Sequence, residues 1–360
     1  MMSNRVARFS VSILTVLILM AFFPLDIAGQ SILRLYPSIR AYGMGIAGTA
    51  DYHEPANADF NPAALSFMDE IAVTFNRGQL VPDLASDVYT FSMGAAGGIM
   101  LIDNADYDMF FSGSLRYTQL DYGEWEATDE VGNFIGICSS KDHCINMTVA
   151  IGSTFKDLIG VGVGFSAKPI SLELAPAWGT VENESSSANK VAFDLGMILK
   201  MDLFREKGFL VSPSFGISYL NLGGDIEYAN RDQTVPLSKE LRIGFGLCLE
   251  SPSLESMDEA FEHRLPICTF SFNYDNANDL VRDDSENRRG YGVEISLFRL
   301  FFLRTGHYEN KDGNVTDDTF GYGLGFEKKG IRARFDYASV PQSAGLKKVS
   351  KYGFSLGYSF

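Results

Sequence analysis

The sequence lacks the features that several large classes of protein need. Its only long apolar run, residues 11–23, lies at the N-terminus, so a helical membrane protein, whose spans need about 20 such residues, is not expected. The 30 Lys and Arg face 45 Asp and Glu, a net charge of -15, which disfavours binding to nucleic acid. The four histidines are scattered, without the H-E-x-x-H pattern of zinc hydrolases. We therefore expect no enzyme, no cofactor and no metal site.

The first residues are typical of an export signal. Two arginines precede the apolar run at 11–23, Pro24 ends it, and small residues follow up to Gly29. This order predicts a secretory signal peptide over residues 1–29, with an uncleaved N-terminal anchor as the alternative. Export through the inner membrane would leave a mature chain that is slightly more acidic than the full sequence.

Export also decides how the four cysteines are interpreted. Cys138 and Cys144 flank a polar stretch, residues 139–143, and we expect them to close a small loop by a disulfide. Their spacing is not that of a zinc site. Cys248 and Cys268 lie on two consecutive strand candidates, and the sequence leaves their pairing undecided.

The rest of the chain alternates between apolar and small or polar residues. At the C-terminus Tyr352, Phe354 and Leu356 alternate with Gly353 and Ser355. Successive side chains of a strand point to opposite faces, so this pattern predicts strands with one apolar face. About fourteen such segments are predicted near 70–76, 87–95, 109–120, 145–155, 159–173, 189–203, 208–221, 239–250, 264–275, 290–298, 300–308, 319–328, 330–338 and 351–360.

The connections between these segments alternate in length. Long polar loops are predicted at 121–144, 174–188, 222–238, 276–289, 309–318 and 339–350, and tight turns separate most other neighbours. An exception is 250–263, which predicts a short helix on the short-turn side. Long loops at one end and short turns at the other are typical of a bacterial outer-membrane barrel. We therefore predict an all-β fold, a transmembrane antiparallel barrel of about 14 strands; a secreted sandwich or soluble barrel is the alternative.

Strand parity places a set of charged residues on the inward face of this barrel. They are Arg116, Asp194, Lys200, Arg242, Glu294, Arg332, Arg334 and Asp336. Such groups either line a polar pore, contact a plug, or pair with one another for stability, and the sequence leaves these alternatives open.

The segment before the first strand resembles a known family. Residues 40–50 and 57–66 match the opening R-x-x-G-M-G-x-A-G-x-A and N-P-A-G-L elements of the FadL/PorV superfamily of outer-membrane barrels. The matching residues are Arg40, Gly43, Met44, Gly45, Ala47, Gly48, Asn61, Pro62, Ala63 and Leu65. Ala64 departs from the pattern, because the family usually has Gly there. The aromatic C-terminus, Tyr358 and Phe360, is similar to the signal read by the barrel-assembly machinery.

The resemblance implies a plug at 30–69 inside a barrel at 70–360, located in the bacterial outer membrane. It also implies two functions, between which the short chain and its acidic loops favour a PorV-like barrel, with hydrophobic transport as the general expectation for the family. One is a channel for fatty acids or other hydrophobic small molecules. The other is a PorV-like interaction scaffold that binds secretion-system proteins, as in type IX secretion. Outer-membrane lipids and the assembly machinery are the partners expected in both cases.

Overall fold

The structure is a computed structural model that describes residues 32–129, 131–174, 186–205, 208–227, 234–253, 265–282, 285–343 and 346–359. The expected signal peptide, Phe360 and most of the helix expected at 250–263 lie outside these residues. In the described part, no helix is both long and apolar enough to span a membrane.

Fourteen antiparallel strands form a closed barrel, as the alternation predicts. Its strands are β1 (Glu70–Val81), β2 (Ala85–Asp103), β3 (Tyr107–Thr128), β4 (Phe134–Phe155), β5 (Ile159–Leu174), β6 (Ser186–Met201), β7 (Leu210–Leu222), β10 (Glu240–Glu250), β11 (Cys268–Asp279), β12 (Arg288–Leu297), β13 (Phe301–Asn310), β14 (Val315–Lys328), β15 (Ile331–Val340) and β16 (Val349–Ser359). Neighbours in sequence pair throughout, and β1 closes the sheet against β16. The remaining strands, β8 (Ile226–Glu227) and β9 (Thr234–Val235), form a separate small hairpin within the β7–β10 connection.

The two faces of the barrel differ in chemistry. The outer face exposes a band of large apolar side chains, such as Tyr352, Phe354 and Leu356 of β16. A closed sheet leaves no unpaired backbone edge, which is the condition for crossing lipid with strands. The inner face carries glycines, hydroxyls and charges. Ile198, which breaks the polar face of β6, is fully buried against Ala63 and Ala64 of the N-terminal segment.

The prediction of a long loop at 121–144 is wrong. Most of residues 121–144 belong to a hairpin, because β3 continues to Thr128 and β4 begins at Phe134. The predicted loop at 309–318 is likewise shortened to residues 311–314. Sequence alternation misses these extensions for a physical reason: a hairpin that rises beyond the lipid has water on both faces and needs no apolar stripe.

The expected disulfide between Cys138 and Cys144 is also wrong. Both residues lie on β4, where they pair with Trp125 and Thr118 of β3. Six residues of extended strand separate them by about 20 Å, whereas a disulfide joins Cα atoms about 4.4–6.8 Å apart. All four cysteines are free, and Cys248 pairs in register with Ser271 rather than with Cys268.

The N-terminal segment, residues 32–69, runs through the interior of the barrel; we call it the inner segment. It contains a short helix, α1 (Ile39–Gly43), whose N-terminus is capped by the Ser38 hydroxyl, which accepts from the Ala41 amide. Two 3-10 helices follow at Pro55–Asp59 and Pro62–Leu65. Asn61 caps the second, and its Oδ1 accepts from the Ala63 amide. Proline at the first position of both helices supplies the required φ without losing a hydrogen bond.

Candidate functional site

Glycines of the barrel wall form the surface on which the inner segment lies. A Cβ atom built on any of nine wall glycines would overlap atoms of the inner segment. These wall glycines are Gly98, Gly152, Gly162, Gly164, Gly196, Gly216, Gly290, Gly292 and Gly306. At Gly164, for example, it would lie 2.5 Å from the Pro62 carbonyl oxygen and the Ala63 amide nitrogen. At most of these positions the inner segment contacts the wall backbone to backbone, and at Gly162 and Gly196 the side chains of Ser66 and Asn61 lie against the wall. This is the close approach for which glycine is required.

The family-like motif residues lie at these contacts. Gly45 has a φ of +70°, and a Cβ there would lie 2.5 Å from the His307 carbonyl oxygen. Met44 is fully buried over Gly292. The Thr319 hydroxyl accepts from the Gly45 amide at 2.9 Å and donates to the Gly43 carbonyl at 3.1 Å. The first half of the motif thus fits the backbone of β12–β14.

The second half of the motif contacts the opposite side of the wall. The Asn61 Nδ2 group donates to the carbonyls of Thr49 and Met197 at 2.9 and 3.1 Å. Pro62, Ala63 and Leu65 are all buried. The Ser112 hydroxyl of β3 donates to the Leu65 carbonyl at 2.7 Å. The motif therefore connects the inner segment to strands on both sides of the barrel.

A buried ion network holds α1 to the wall. Arg40 pairs with Asp51 of the inner segment and with Glu294 of β12, where N and O lie 3.0 Å apart. Glu294 also binds Arg304 of β13 at 2.5 Å, and Arg304 binds Asp336 of β15 at 2.6 Å. Since Glu294 lies between two guanidinium groups and Arg304 between two carboxylates, the charges compensate one another away from water.

This network continues to the start of the first 3-10 helix. Arg334 pairs with Asp336 at 2.7 Å and with Glu54 of the inner segment at 3.0 Å. Both Arg334 and Arg304 also lie over the ring of Phe302, at 5.6 and 5.4 Å from its centre. Arg334 therefore ties the inner segment directly to β15, and Arg304 of β13 is linked to it through Glu294 and Arg40.

A second network surrounds Arg242. This residue pairs with Glu240 at 2.7 Å and with Asp275 at 2.8 Å. Asp275 in turn accepts from the Gly48 amide at 3.0 Å and from the Thr49 hydroxyl at 2.7 Å. The backbone amide of the motif residue Gly48 thus donates to the carboxylate of Asp275 on the wall.

The other charges predicted on the inward face are also paired. Arg116 binds Asp59 of the inner segment at 2.9 Å. Asp194 binds Lys168 at 2.8 Å, within the wall. Arg332 binds Glu70 at 3.2 Å near the end of the barrel where β1 begins and β16 ends, and its side chain is 42% exposed there. Most of these charges hold the inner segment or the wall together rather than line an open pore.

One end of the lumen is filled by apolar side chains. This mouth cluster lies at the end opposite the strand termini Glu70 and Ser359. Its buried members are Ile32, Leu33, Leu120, Cys144, Ile170, Leu172, Ala188, Ala192, Ile226 and Leu237. The lumen of a barrel that conducts hydrophilic solutes is polar, so an apolar interior at the mouth is a departure that needs a reason.

The other end holds a charged cavity of about 290 Å³. The inner segment contributes Tyr52 and His53, and the wall contributes Lys200 and Arg299 among other residues. In the turn after β6, burial opposes ionisation of Asp202, but Lys200, the Ser212 hydroxyl and Arg205 outweigh it and hold the pKa of Asp202 below its usual value. This vestibule is polar, in contrast to the mouth.

The described residues contain no candidate metal site, and Ser355 does not have the surroundings of a hydrolase nucleophile. No group of three or more His, Cys, Asp and Glu is placed to hold a metal ion in this part of the chain. Gly353, Ser355 and Gly357 have the spacing of the hydrolase nucleophile motif, but all three lie within β16. That motif requires a sharp turn between a strand and a helix, so Ser355 is not such a nucleophile.

Comparison with known proteins gives the fold and no more. No protein-family model and no curated protein matches the sequence. Among solved structures, a mutant of the monoaromatic hydrocarbon channel TodX is 13% identical and superposes with a TM-score of 0.52, over 89% of this chain and 98% of that one. The Ralstonia pickettii toluene transporter TbuX is 10% identical, with a TM-score of 0.51, over 91% and 98%. The chain has the barrel fold of these two channels.

Proposed function

We propose that this protein is a bacterial outer-membrane channel for hydrophobic small molecules. The observation that carries the proposal is the apolar mouth cluster inside the lumen, which offers a nonpolar molecule an environment that water does not. The two structures with the same fold are described as channels for toluene and other monoaromatic hydrocarbons, which favours the same class of solute here.

In this proposal residues 1–29 direct export, and the apolar outer band lies in the lipid. The assembly machinery reads the C-terminal Tyr358 and Phe360. The end with the long β3–β4 hairpin faces outward, and residues 30–69 act as the plug of the barrel at 70–360. A nonpolar solute enters the mouth cluster first. It passes further only when the inner segment shifts, because the segment closes the lumen between the mouth and the polar vestibule.

The proposal is tested by uptake into cells. The chain is expressed in a host without a hydrocarbon channel, and entry of labelled toluene is compared with entry of a hydrophilic sugar. We expect toluene uptake to rise and sugar uptake to stay at the background rate. Unchanged toluene uptake, with the barrel shown to be folded by heat-modifiable migration on a gel, would contradict the proposal.

A matched pair of variants locates the entry point. Ile226 is fully buried in the mouth cluster but belongs to the β8–β9 hairpin, outside the barrel sheet. We expect Ile226→Asn to lower the ratio of toluene to sugar uptake, because it places an amide in the nonpolar entry. The adjacent Glu227→Gln is the control, since Glu227 is exposed and its replacement should leave the ratio unchanged. The scaffold alternative, with secretion-system partners, predicts no effect of either variant on uptake.

A further inference from the structure

One buried cation differs from all the others. In the part of the chain that the structure describes, the buried lysines and arginines are Arg40, Arg116, Lys168, Arg242, Arg304 and Lys351. The first five pair with carboxylates. Lys351, 5% exposed, forms no ion pair with the described residues. Its only recorded partner is the ring of Tyr42, whose centre lies 4.5 Å from Nζ.

The strand register brings an unsatisfied donor beside this lysine. Lys351 of β16 is opposite Gly78 of β1, and Asn76 of β1 is opposite Gly353. The lysine side chain lies over Gly78, where a Cβ would be 3.1 Å from Nζ. Asn76 and Lys351 are therefore diagonal neighbours on the inward face. The Asn76 Nδ2 atom is buried and has no hydrogen-bond partner among the described residues.

Hydroxyl groups continue the same inward surface. Asn76 is opposite Ser92 of β2, and Ser92 is opposite Thr118 of β3. The Thr118 hydroxyl donates to Ser92 Oγ at 3.3 Å, so the Ser92 proton remains available to another acceptor. Lys351, Asn76, Ser92 and Thr118 all line one cavity of about 20 Å³.

The inner segment closes this cavity without adding a negative charge. It contributes Leu35, Tyr36, Pro37, Ile39 and Tyr42, and the wall adds Arg77, Gly78 and Thr90. Arg77 is exposed on the outward face, so the lining holds one buried cation, Lys351, with several donors and no carboxylate. A buried ammonium ion and a buried amide N–H both cost free energy when nothing accepts from them.

We propose that this cavity binds one small monovalent anion, of the size and charge of a halide. The ammonium of Lys351 supplies the charge, and Asn76 Nδ2 and the Ser92 hydroxyl supply the neutral donors. A space of about 20 Å³ is large enough for one atom the size of water and too small for phosphate or sulfate. The absence of a carboxylate from the lining excludes cations.

The bound anion would also help to hold the inner segment. It neutralises the ammonium on which the Tyr42 ring lies, and Tyr42 follows Arg40 and Ala41 in α1. Binding at this place stabilises the docked form relative to any form in which residues 35–42 leave the wall, because these residues close the cavity. This inference does not depend on which solute the barrel transports.

Anomalous diffraction from crystals of the full mature chain grown in sodium bromide tests the site. We expect an anomalous peak within hydrogen-bond distance of Lys351 Nζ and Asn76 Nδ2. The peak should be absent from the same crystals of Lys351→Met. A cavity that holds only water in the wild-type protein in bromide would overturn the proposal.

A solution experiment shows whether the site works outside a crystal. The midpoint of heat-modifiable migration is measured in sodium chloride and in sodium gluconate at equal ionic strength. We expect a higher midpoint in chloride for the wild type, and no anion dependence for Lys351→Met or Asn76→Leu. The control is Lys347→Met, which removes a lysine that is 84% exposed and should retain the chloride effect. Equal midpoints for the wild type in the two salts would refute the site, whether or not the variants fold.

Discussion

A single methyl group at the wall should separate the inner segment from the barrel. The perturbation is Gly164→Ala on β5. A Cβ at this position would lie 2.5 Å from both the Ala63 nitrogen and the Pro62 oxygen. Ordinary contacts of a methyl carbon are longer than about 3.4 Å, so one side must move by roughly 1 Å. The wall resists, because β5 is hydrogen-bonded to β4 and β6 along its length.

The inner segment is therefore the part that yields. Overfilling a packed site costs about 1–3 kcal/mol, and here the cost falls on the contacts that dock Pro62 and Ala63. Those contacts include the Asn61 amide on the Met197 carbonyl and the packing of Ala63 against Ile198. We expect the docked population to decrease by about one to two orders of magnitude if the whole cost is expressed there.

The assay is limited proteolysis of the folded barrel in detergent micelles. Gly164→Ala should be cut faster within residues 32–69 than the wild type, while its heat-modifiable migration shows an intact barrel. Gly136→Ala of β4 is the matched control, because a Cβ there meets nothing within 4 Å. Equal rates of cleavage for Gly164→Ala and Gly136→Ala would refute the argument that wall glycines accommodate the inner segment.

Three further predictions concern charge, pH and thiols. Glu294→Gln leaves the buried cations Arg40 and Arg304 without their shared carboxylate, and it should lower the free energy of unfolding in urea by about 3–5 kcal/mol. The control is Glu286→Gln, which removes an exposed pair with Lys311 and should leave the unfolding midpoint unchanged. Asp202 has a lowered pKa, so its contribution to stability is complete above the ordinary value of 3.8 and is lost as the pH falls through the lowered one; the wild type should lose more stability below about pH 4 than Asp202→Asn. A maleimide titration of the denatured, unreduced protein should find four thiols, and fewer would contradict the free state of the cysteines.

The barrel could be predicted from sequence because lipid imposes a simple rule. Within the bilayer every outward side chain must be apolar, and the alternation along β5 or β16 records that rule residue by residue. The same parity assigned Asp194 and Arg242 to the interior, where both are buried. Beyond the lipid, outward side chains need not be apolar, and the alternation is no longer required. The upper half of the β3–β4 hairpin, including Cys138, is surrounded by water, and local composition there favours a loop as readily as a strand.

The pairing of the inward charges could not be predicted, for a different reason. Parity gives the face of a strand but not the neighbour across the lumen. Arg40 and Glu294 are 254 positions apart, and their contact depends on where the inner segment lies. Lys168 and Asp51 were missed altogether. Lys168 lies on β5, where alternate residues such as Gly164 and Ser166 face inward. Extending this alternation by two residues would have placed Lys168 on the inward face as well.

The motif glycines and the wall glycines form the two sides of one interface. Gly45 has no side chain because carbonyls of β12 and β13 lie against it, and Gly290 and Gly306 have none because the Gly45 backbone lies against them. A side chain added to either side pushes on the other, so neither set is explained by its own strand or turn alone. The contact is also polar, since it joins amides and carbonyls rather than methyl groups. The segment also buries Ile39, Phe60 and Leu65 in apolar clusters with the wall, so its attachment combines the hydrophobic effect with buried ion pairs and satisfied backbone groups. Movement of the inner segment should therefore respond to changes in charge and hydrogen bonding at the wall as well as to changes in buried apolar area.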